Sequence, residues 1–407
     1  MRTLWDERYA LRTENISSSA IRELLKLTSL PEVISFAGGM PAPELFPIEQ
    51  FKEATDVVLT EMGDRALQYG TTEGYQPLRE MLARNAGKYG IRISADNVLI
   101  TSGSQQALDL LGRIFLNRGD QVLVESPTYL GAIQAWNAYG VKYVTIPSDE
   151  DGMCVDMLES RLRTGIKFIY VLPNFQNPTG VTLSRERRKT LVEMADEYGV
   201  PIVEDDPYGQ LRFEGEHQPP VVVIDDEMRA KEVPIYSGNV IYTSTFSKIL
   251  APGLRLAWVV APTEVIKKLV QAKQGCDLHT ATYTQYLAYE VARTPWMKEH
   301  IQLIRKTYQE RRDTMLKALG DYMPEGVHWT HPKGGLFLWV TLPDDVDTGD
   351  LFPQAVAAKV AFVPGDSFHP LGGGKNTMRL NFSNSKPDLI VEGIKRLAKI
   401  VKDNLKA

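Results

Sequence analysis

Between residues 97 and 243 the chain repeats one pattern: a short apolar run, a small polar loop, then helical apolar spacing. The apolar runs are 97–101 (NVLIT), 121–125, 168–172 (FIYVL), 201–204 and 240–243, and helical spacing occupies 104–115 and 131–139. Runs this short, alternating with helices, predict strands buried on both faces of a mainly parallel sheet. The expectation is an α/β domain over residues 46–285.

After residue 281 the pattern changes. A charged helical stretch is expected from 285 to 319, strands at 334–342 (GGLFLWVTL) and 379–383 (RLNFS), and an amphipathic helix over 389–405. Residues 286–407 are therefore expected to form a smaller α+β domain, with an N-terminal arm (1–45) packed on it. The length of 407 residues and 43% hydrophobic content suffice for a large core.

Composition excludes several functions. A net charge of −5 argues against a nucleic-acid partner held on a basic face. No apolar run reaches about 18 residues, so no membrane partner is expected, and the N-terminus lacks a signal-peptide core. Cys154 and Cys276 stand far apart, outside metal-like spacing. They are expected to be free thiols of a cytoplasmic protein, with no metal site.

Four clusters carry the chemistry. Thr101-Ser102-Gly103-Ser104-Gln105 joins a strand to a helix start. Free N–H groups there form an anion site, and capping by Ser102 or Ser104 is the ordinary alternative. Asn174-Phe175-Gln176-Asn177-Pro178-Thr179-Gly180 follows the FIYVL run; a plain Pro-Gly turn is the alternative. Glu204-Asp205-Asp206-Pro207-Tyr208 sits at another strand end. Acidic groups at that edge face the ligand crevice, although a solvated loop would read the same. The most specific cluster is Thr245-Phe246-Ser247-Lys248 with Arg255 seven residues on. A lysine of lowered pKa can form an imine with a carbonyl cofactor, and the arginine fork suits a phosphate.

These clusters, in this order and spacing, resemble the class I/II aminotransferases of fold type I, over residues 36–383. Within that group the likeness is to the branch containing 2-aminoadipate aminotransferases and kynurenine aminotransferase II. Phe36-Ala37-Gly38-Gly39-Met40-Pro41, Leu45-Phe46-Pro47 and Leu67-Gln68-Tyr69-Gly70 before Glu73-Gly74 carry the branch resemblance. It implies a mainly parallel seven-stranded sheet in a large domain, pyridoxal 5′-phosphate as cofactor, and a homodimer with shared sites. Lys248 would hold the cofactor as a Schiff base, and Asp205 would pair with the pyridine nitrogen. Tyr208 and Asn177 would reach the phenolic oxygen, and Tyr129 would stack on the ring. Ser104, Gln105, Thr245, Ser247 and Arg255 would hold the phosphate, with Tyr69 given to the neighbouring subunit's phosphate. Thr245 stands where serine is frequent, which keeps the hydroxyl.

Arg379 would grip the substrate α-carboxylate, helped by Gly39 and Asn177. Arg22, in Ser17-Ser18-Ser19-Ala20-Ile21-Arg22, matches the arginine that meets a side-chain carboxylate in the 2-aminoadipate branch; an exposed helix arginine is the alternative. The implied reaction moves an amino group from an L-amino acid to a 2-oxo acid such as 2-oxoglutarate by a ping-pong mechanism. The donors would be 2-aminoadipate, glutamate, aromatic or branched-chain. Two rivals share the scaffold: lyases or decarboxylases with the same cofactor, and regulatory modules behind a winged helix. Arg379 favours transamination over the first. Against the second, the resemblance begins near the N-terminus, leaving no room expected for a preceding domain.

Overall fold

The computed structural model describes residues 3–16, 32–229 and 234–405. Strand β1 (Ile34–Ser35) comes first. The large sheet follows with β2 (Val98–Thr101), β3 (Gln121–Ser126), β4 (Lys142–Asp149), β5 (Gly152–Met153), β6 (Ile166–Val171), β7 (Ile202–Asp205), β8 (Val240–Thr245) and β9 (Ala257–Val260). Their spatial order is β2-β9-β8-β7-β6-β3-β4-β5. The inner strands β8, β7, β6, β3 and β4 pair in parallel, and β9 runs antiparallel between β8 and β2. Seven strands make the expected sheet; the two-residue β5 is an eighth, antiparallel on the edge of β4.

Alternate residues of each strand leave by opposite faces. Leu99, Val124, Phe168 and Val203 pack under helices Ser104–Phe115, Leu130–Asn137 and Thr263–Asp277. Their neighbours Ile100, Leu123, Ile169 and Ile202 join the core on the other face. Both faces are covered, so the strands read as unbroken apolar runs. Because β9 reverses the direction between β8 and β2, the strand ends Thr101, Ser126, Val171, Asp205 and Thr245 all lie along one edge of the sheet.

The single helix expected over 285–319 is two, Thr282–Ala292 and Trp296–Tyr322. Pro295 between them has no N–H to extend the first helix and disfavours helical geometry at Thr294. The expected domain boundary at 285 falls inside Thr282–Ala292, where Tyr286 stacks on Tyr75 at 3.8 Å. Strands β10 (His328–Trp329), β11 (Phe337–Thr341), β12 (Val360–Ala361), β13 (Val363–Pro364) and β14 (Thr377–Asn381) complete the set. Four of them form an antiparallel sheet ordered β10-β11-β14-β13, while β12 pairs with β1 in parallel. That last pair ties residues 34–35 to the C-terminal part of the chain. The strand expected at 379–383 starts two residues earlier, and helix Pro387–Asn404 closes the fold. Arg22 and its segment lie outside the described residues.

Candidate active site

The β8–β9 connection brings Lys248 and Arg255 to the carboxyl edge of the sheet. Thr245 anchors its start: the Thr245 hydroxyl donates to the Leu256 carbonyl oxygen at 2.9 Å and accepts the Ser247 N–H at 3.0 Å. The Ser247 hydroxyl, 2.9 Å from Thr245 Oγ1, is left to donate to it. Arg255 adopts left-handed backbone geometry, φ 50°. Its guanidinium lies over Gly103, where a Cβ would come within 2.9 Å of Arg255 Cζ.

Gly103 is the N-cap of helix Ser104–Phe115 and makes no side-chain cap. The capping alternative therefore fails: Ser102 Oγ donates to Asp277 Oδ2 at 3.0 Å, and Ser104 Oγ is buried with no partner among the described residues. Unpaired helix N–H groups, one spare hydroxyl and a guanidinium converge on one point, which is a cradle for a phosphate-sized anion. The Gln105 side chain does not serve the cradle, because its amide donates to the Gly131 carbonyl oxygen at 2.8 Å. What Gln105 can offer is its backbone N–H in the first helical turn.

A second network fixes this loop. Lys273, fully buried, donates to Gln106 Oε1 at 2.6 Å and to both Asp277 oxygens at 2.8 Å. Gln106 Oε1 in turn accepts the Ser102 N–H at 2.8 Å. In sequence Lys273 and Asp277 look like a surface i,i+4 pair, and only the packing shows them holding Ser102 and Gln106.

Three acids end β7 or follow it, and each has a different task. Glu204 accepts the N–H groups of Val221 and Val222 at 2.8 and 2.9 Å, at the start of helix Val221–Arg229. Asp206 accepts from Asn174 Nδ2, Gly209 N and Tyr242 Oη at 3.0, 2.8 and 3.3 Å. Asp205 accepts from Tyr170 Oη at 2.9 Å through one oxygen, and its other oxygen, Oδ1, has no partner among the described residues. Burial pushes the Asp205 carboxyl up to about 7, against the pull of the Tyr170 hydroxyl. A buried carboxylate with one free oxygen is suited to a cationic N–H. Tyr170 was not singled out in the sequence; its alternate position in FIYVL reads as core.

Burial, reinforced by Arg379 and Arg255, lowers the Lys248 amine to about 8. Its Nζ donates to the Gly39 carbonyl oxygen at 2.7 Å. Gly39 is tightly fitted, since a Cβ there would lie 3.2 Å from Phe337 Cζ. Arg379, on β14, is also buried and is lowered to about 10 by desolvation. Its hydrogen bonds go to neutral acceptors, Asn177 Oδ1 at 2.8 Å and the Ala37 carbonyl oxygen at 2.6 Å. Arg379 Nε has no partner among the described residues, and Phe337 and Phe368 flank the guanidinium at 4.2 and 5.1 Å from their centroids. A buried cation with only neutral partners fits an incoming carboxylate.

Tyr208 and Tyr129 complete the enclosure. Burial raises both hydroxyls, Tyr129 to about 12, while a bond to Asn177 moderates Tyr208. Tyr129 begins helix Leu130–Asn137 with its ring against Gly131. Tyr69 stands apart: it is 79% exposed, edge-on to His279 at 5.8 Å. Among the described residues no group of three or more His, Cys, Asp or Glu could hold a metal, and no helix is long and apolar enough to cross a membrane.

Comparison with known proteins bears on this constellation. The family described as aminotransferase class I and II matches residues 32–397. Aromatic-amino-acid aminotransferase 1 of Thermococcus litoralis is 47% identical over 99% of this chain and 96% of its own length. The 2-aminoadipate transaminase of Thermus thermophilus is 45% identical over 98% and 97%. A kynurenine aminotransferase of Pyrococcus horikoshii, solved in complex with PMP, superposes with a TM-score of 0.93 at 46% identity, covering 99% of both chains. With the family matched over most of its length, this chain belongs to the class I and II aminotransferases.

Proposed function

We propose that this aminotransferase uses pyridoxal 5′-phosphate held by Lys248 and passes amino groups from acidic, aromatic and branched-chain L-amino acids to 2-oxo acids such as 2-oxoglutarate. The observation that carries the reading is the buried set of Lys248, Asp205 and Arg379: an amine of lowered pKa and, among the described residues, a carboxylate oxygen without a donor and a cation without an anion. The cofactor, when bound, supplies the carbonyl that takes the amino group and a protonated ring that draws electrons from the substrate Cα. The residues fit it. Ser104 Oγ, the Gln105 N–H and Arg255 would hold its phosphate, and Thr245 and Ser247 would join them once their hydroxyls turn from the Leu256 carbonyl oxygen and from each other. Asp205 Oδ1 would pair with its ring N–H, Tyr129 would cover the ring, and Asn177 and Tyr208 would reach its phenolic oxygen.

Arg379 then orients the substrate by its α-carboxylate, with the Gly39 loop above and Asn177 bracing the guanidinium. Lys248 Nζ, released from the cofactor when the substrate amine replaces it and neutral above about pH 8, would take the Cα proton and hold it for return to the carbon that carried the carbonyl. Phe337 and Phe368 keep water from Arg379 and strengthen its pairing. The exposed Tyr69 supports a homodimer in which each subunit lends a hydroxyl to its neighbour's phosphate site. Two free cysteines suit a cytoplasmic protein.

Donor range is read from the resemblance of the N-terminal segment, where Arg22 would meet a side-chain carboxylate. The experiment is a half-reaction with a donor panel. The holoenzyme, given an amino acid alone, should convert its absorbance from the carbonyl to the amine form with 2-aminoadipate, glutamate, kynurenine and leucine. In Arg22→Ala, kcat/KM for the acidic donors should fall about 10- to 100-fold, the worth of one charge-assisted hydrogen bond. Leucine should change much less. No spectral conversion with any donor, or equal losses for acidic and apolar donors, would refute the respective part.

A further inference from the structure

A second cavity, of about 130 Å³, lies on the face of the large sheet away from helix Ser104–Phe115. Its walls are mostly apolar, Leu82, Ile91, Phe246, Trp258, Met297 and Ile301 among them, with Asn85, Asp206 and His217 supplying polar groups. The volume is close to the ~150 Å³ at which an apolar cavity accepts a benzene ring. At His217 the cavity meets a surface cleft that Arg212, Arg305 and Lys306 also line. Tyr89 packs on His217 at 5.0 Å between ring centroids.

The cleft carries a surplus of positive charge: Arg212, Arg305 and Lys306 line it, and Asp206 on the cavity wall offsets Arg212 only in part. Arg305 Nε donates to the Gln210 carbonyl oxygen at 2.7 Å, and Arg212 Nη1 to the Glu214 carbonyl oxygen at 3.3 Å. Arg212 Nη2 is buried and has no partner among the described residues. The acid on the cavity wall, Asp206, takes its hydrogen bonds from Asn174, Gly209 and Tyr242 and acts on Arg212 only through space. A buried guanidinium N–H without an acceptor is costly, and an anion in the cleft removes that cost.

We propose that cavity and cleft together form a second ligand site, for a small organic acid whose apolar body is about the size of one benzene ring and whose single carboxylate sits against Arg212 and Arg305. The ring displaces water from an apolar space, and the carboxylate supplies the acceptor that Arg212 lacks. Cleft and catalytic pocket share backbone: Gln210, held by Arg305, is two residues from Tyr208. Arg212 lies 4.8 Å over the Phe175 ring, two residues from Asn177.

The test titrates phenylacetate into the Arg379→Ala holoenzyme, in which the α-carboxylate grip of the catalytic site is removed, with calorimetry as readout. Benzyl alcohol and acetate serve as the ring-only and charge-only arms. Phenylacetate should bind one site per subunit, about tenfold or more tighter than benzyl alcohol, and acetate should not bind measurably. Arg305→Gln, in the open cleft, should weaken phenylacetate about tenfold without touching benzyl alcohol, and Ile301→Trp should abolish both by filling the cavity. No phenylacetate binding, equal affinity for phenylacetate and benzyl alcohol, or indifference to both Arg305→Gln and Ile301→Trp would overturn the proposal. The half-reaction of the unmodified holoenzyme is measured separately, so a wrong catalytic assignment leaves this outcome readable.

Discussion

Replacing Gly103 by alanine tests the anion cradle at its tightest point. Gly103 has φ 84° and ψ 162°, a region that residues with a Cβ scarcely enter. Forcing alanine there costs about 1–3 kcal/mol. The added methyl would also collide with the Arg255 guanidinium, Nη2 first and then Cζ. Arg255 must swing away, and the forked contact proposed for it with the cofactor phosphate would be lost, at a cost of about 1.5–3 kcal/mol, or roughly 10- to 150-fold in affinity. Gly103→Ala should therefore lower apoprotein stability by about 1–3 kcal/mol in denaturant unfolding and, independently, weaken pyridoxal phosphate binding by one to two orders of magnitude in spectrophotometric titration. Arg255→Lys separates the two effects. It keeps the charge and removes the fork, so binding should weaken about tenfold with little change in apoprotein stability. If Gly103→Ala is destabilised but binds cofactor within about threefold of the parent, Arg255 does not hold the phosphate and the cradle has been misread.

Three further outcomes are expected. Asp205→Asn should keep measurable cofactor binding but lose about 100-fold or more in turnover, because a neutral amide no longer favours a protonated ring nitrogen; near-normal turnover would reject the pairing. Glu125, buried beside Ser148 and the Leu172 N–H, is raised by desolvation from 4.5 to about 7. The fold thus prefers its neutral form: that contribution is complete below about pH 4.5 and is lost as pH rises through 7. Glu125→Gln should accordingly be more stable than the parent at pH 8, by up to about 3 kcal/mol, with no advantage near pH 4.5; a pH-independent difference would refute the assignment. Finally, mixing Lys248→Ala with Tyr69→Phe subunits should yield heterodimers with one intact site and activity above either parent. Confirmed heterodimers with no recovery would reject shared sites.

Much of the chemistry was legible because it is local. Lys248 and Arg255 sit in one connection between adjacent strands, and Asp205 ends a strand at the edge where parallel sheets bind ligands. The break at Pro295 was equally local and was missed: the periodicity of 285–319 outweighed a residue that cannot continue a helix. The three consecutive acids show the limit of local reading. Nothing in Glu204-Asp205-Asp206 says which keeps a free oxygen, because Val221, Asn174 and Tyr170 make that choice from other segments.

The order of short apolar runs and helical segments, with small polar loops between them, determined the covered parallel sheet and the edge on which the site stands. Strand period, strand length and loop chemistry are properties of neighbours in sequence. Only the tertiary structure decided how the side chains are used there. It spent the Gln105 amide on Gly131, buried Lys273 behind the cradle, and placed Gly39 over Lys248 from 209 residues away and Ala37 on Arg379 from 342. Such pairings come from closing the core. Whether a polar group is free or satisfied depends on which distant atom the packing brings within 3 Å, and no periodicity along the chain encodes that distance.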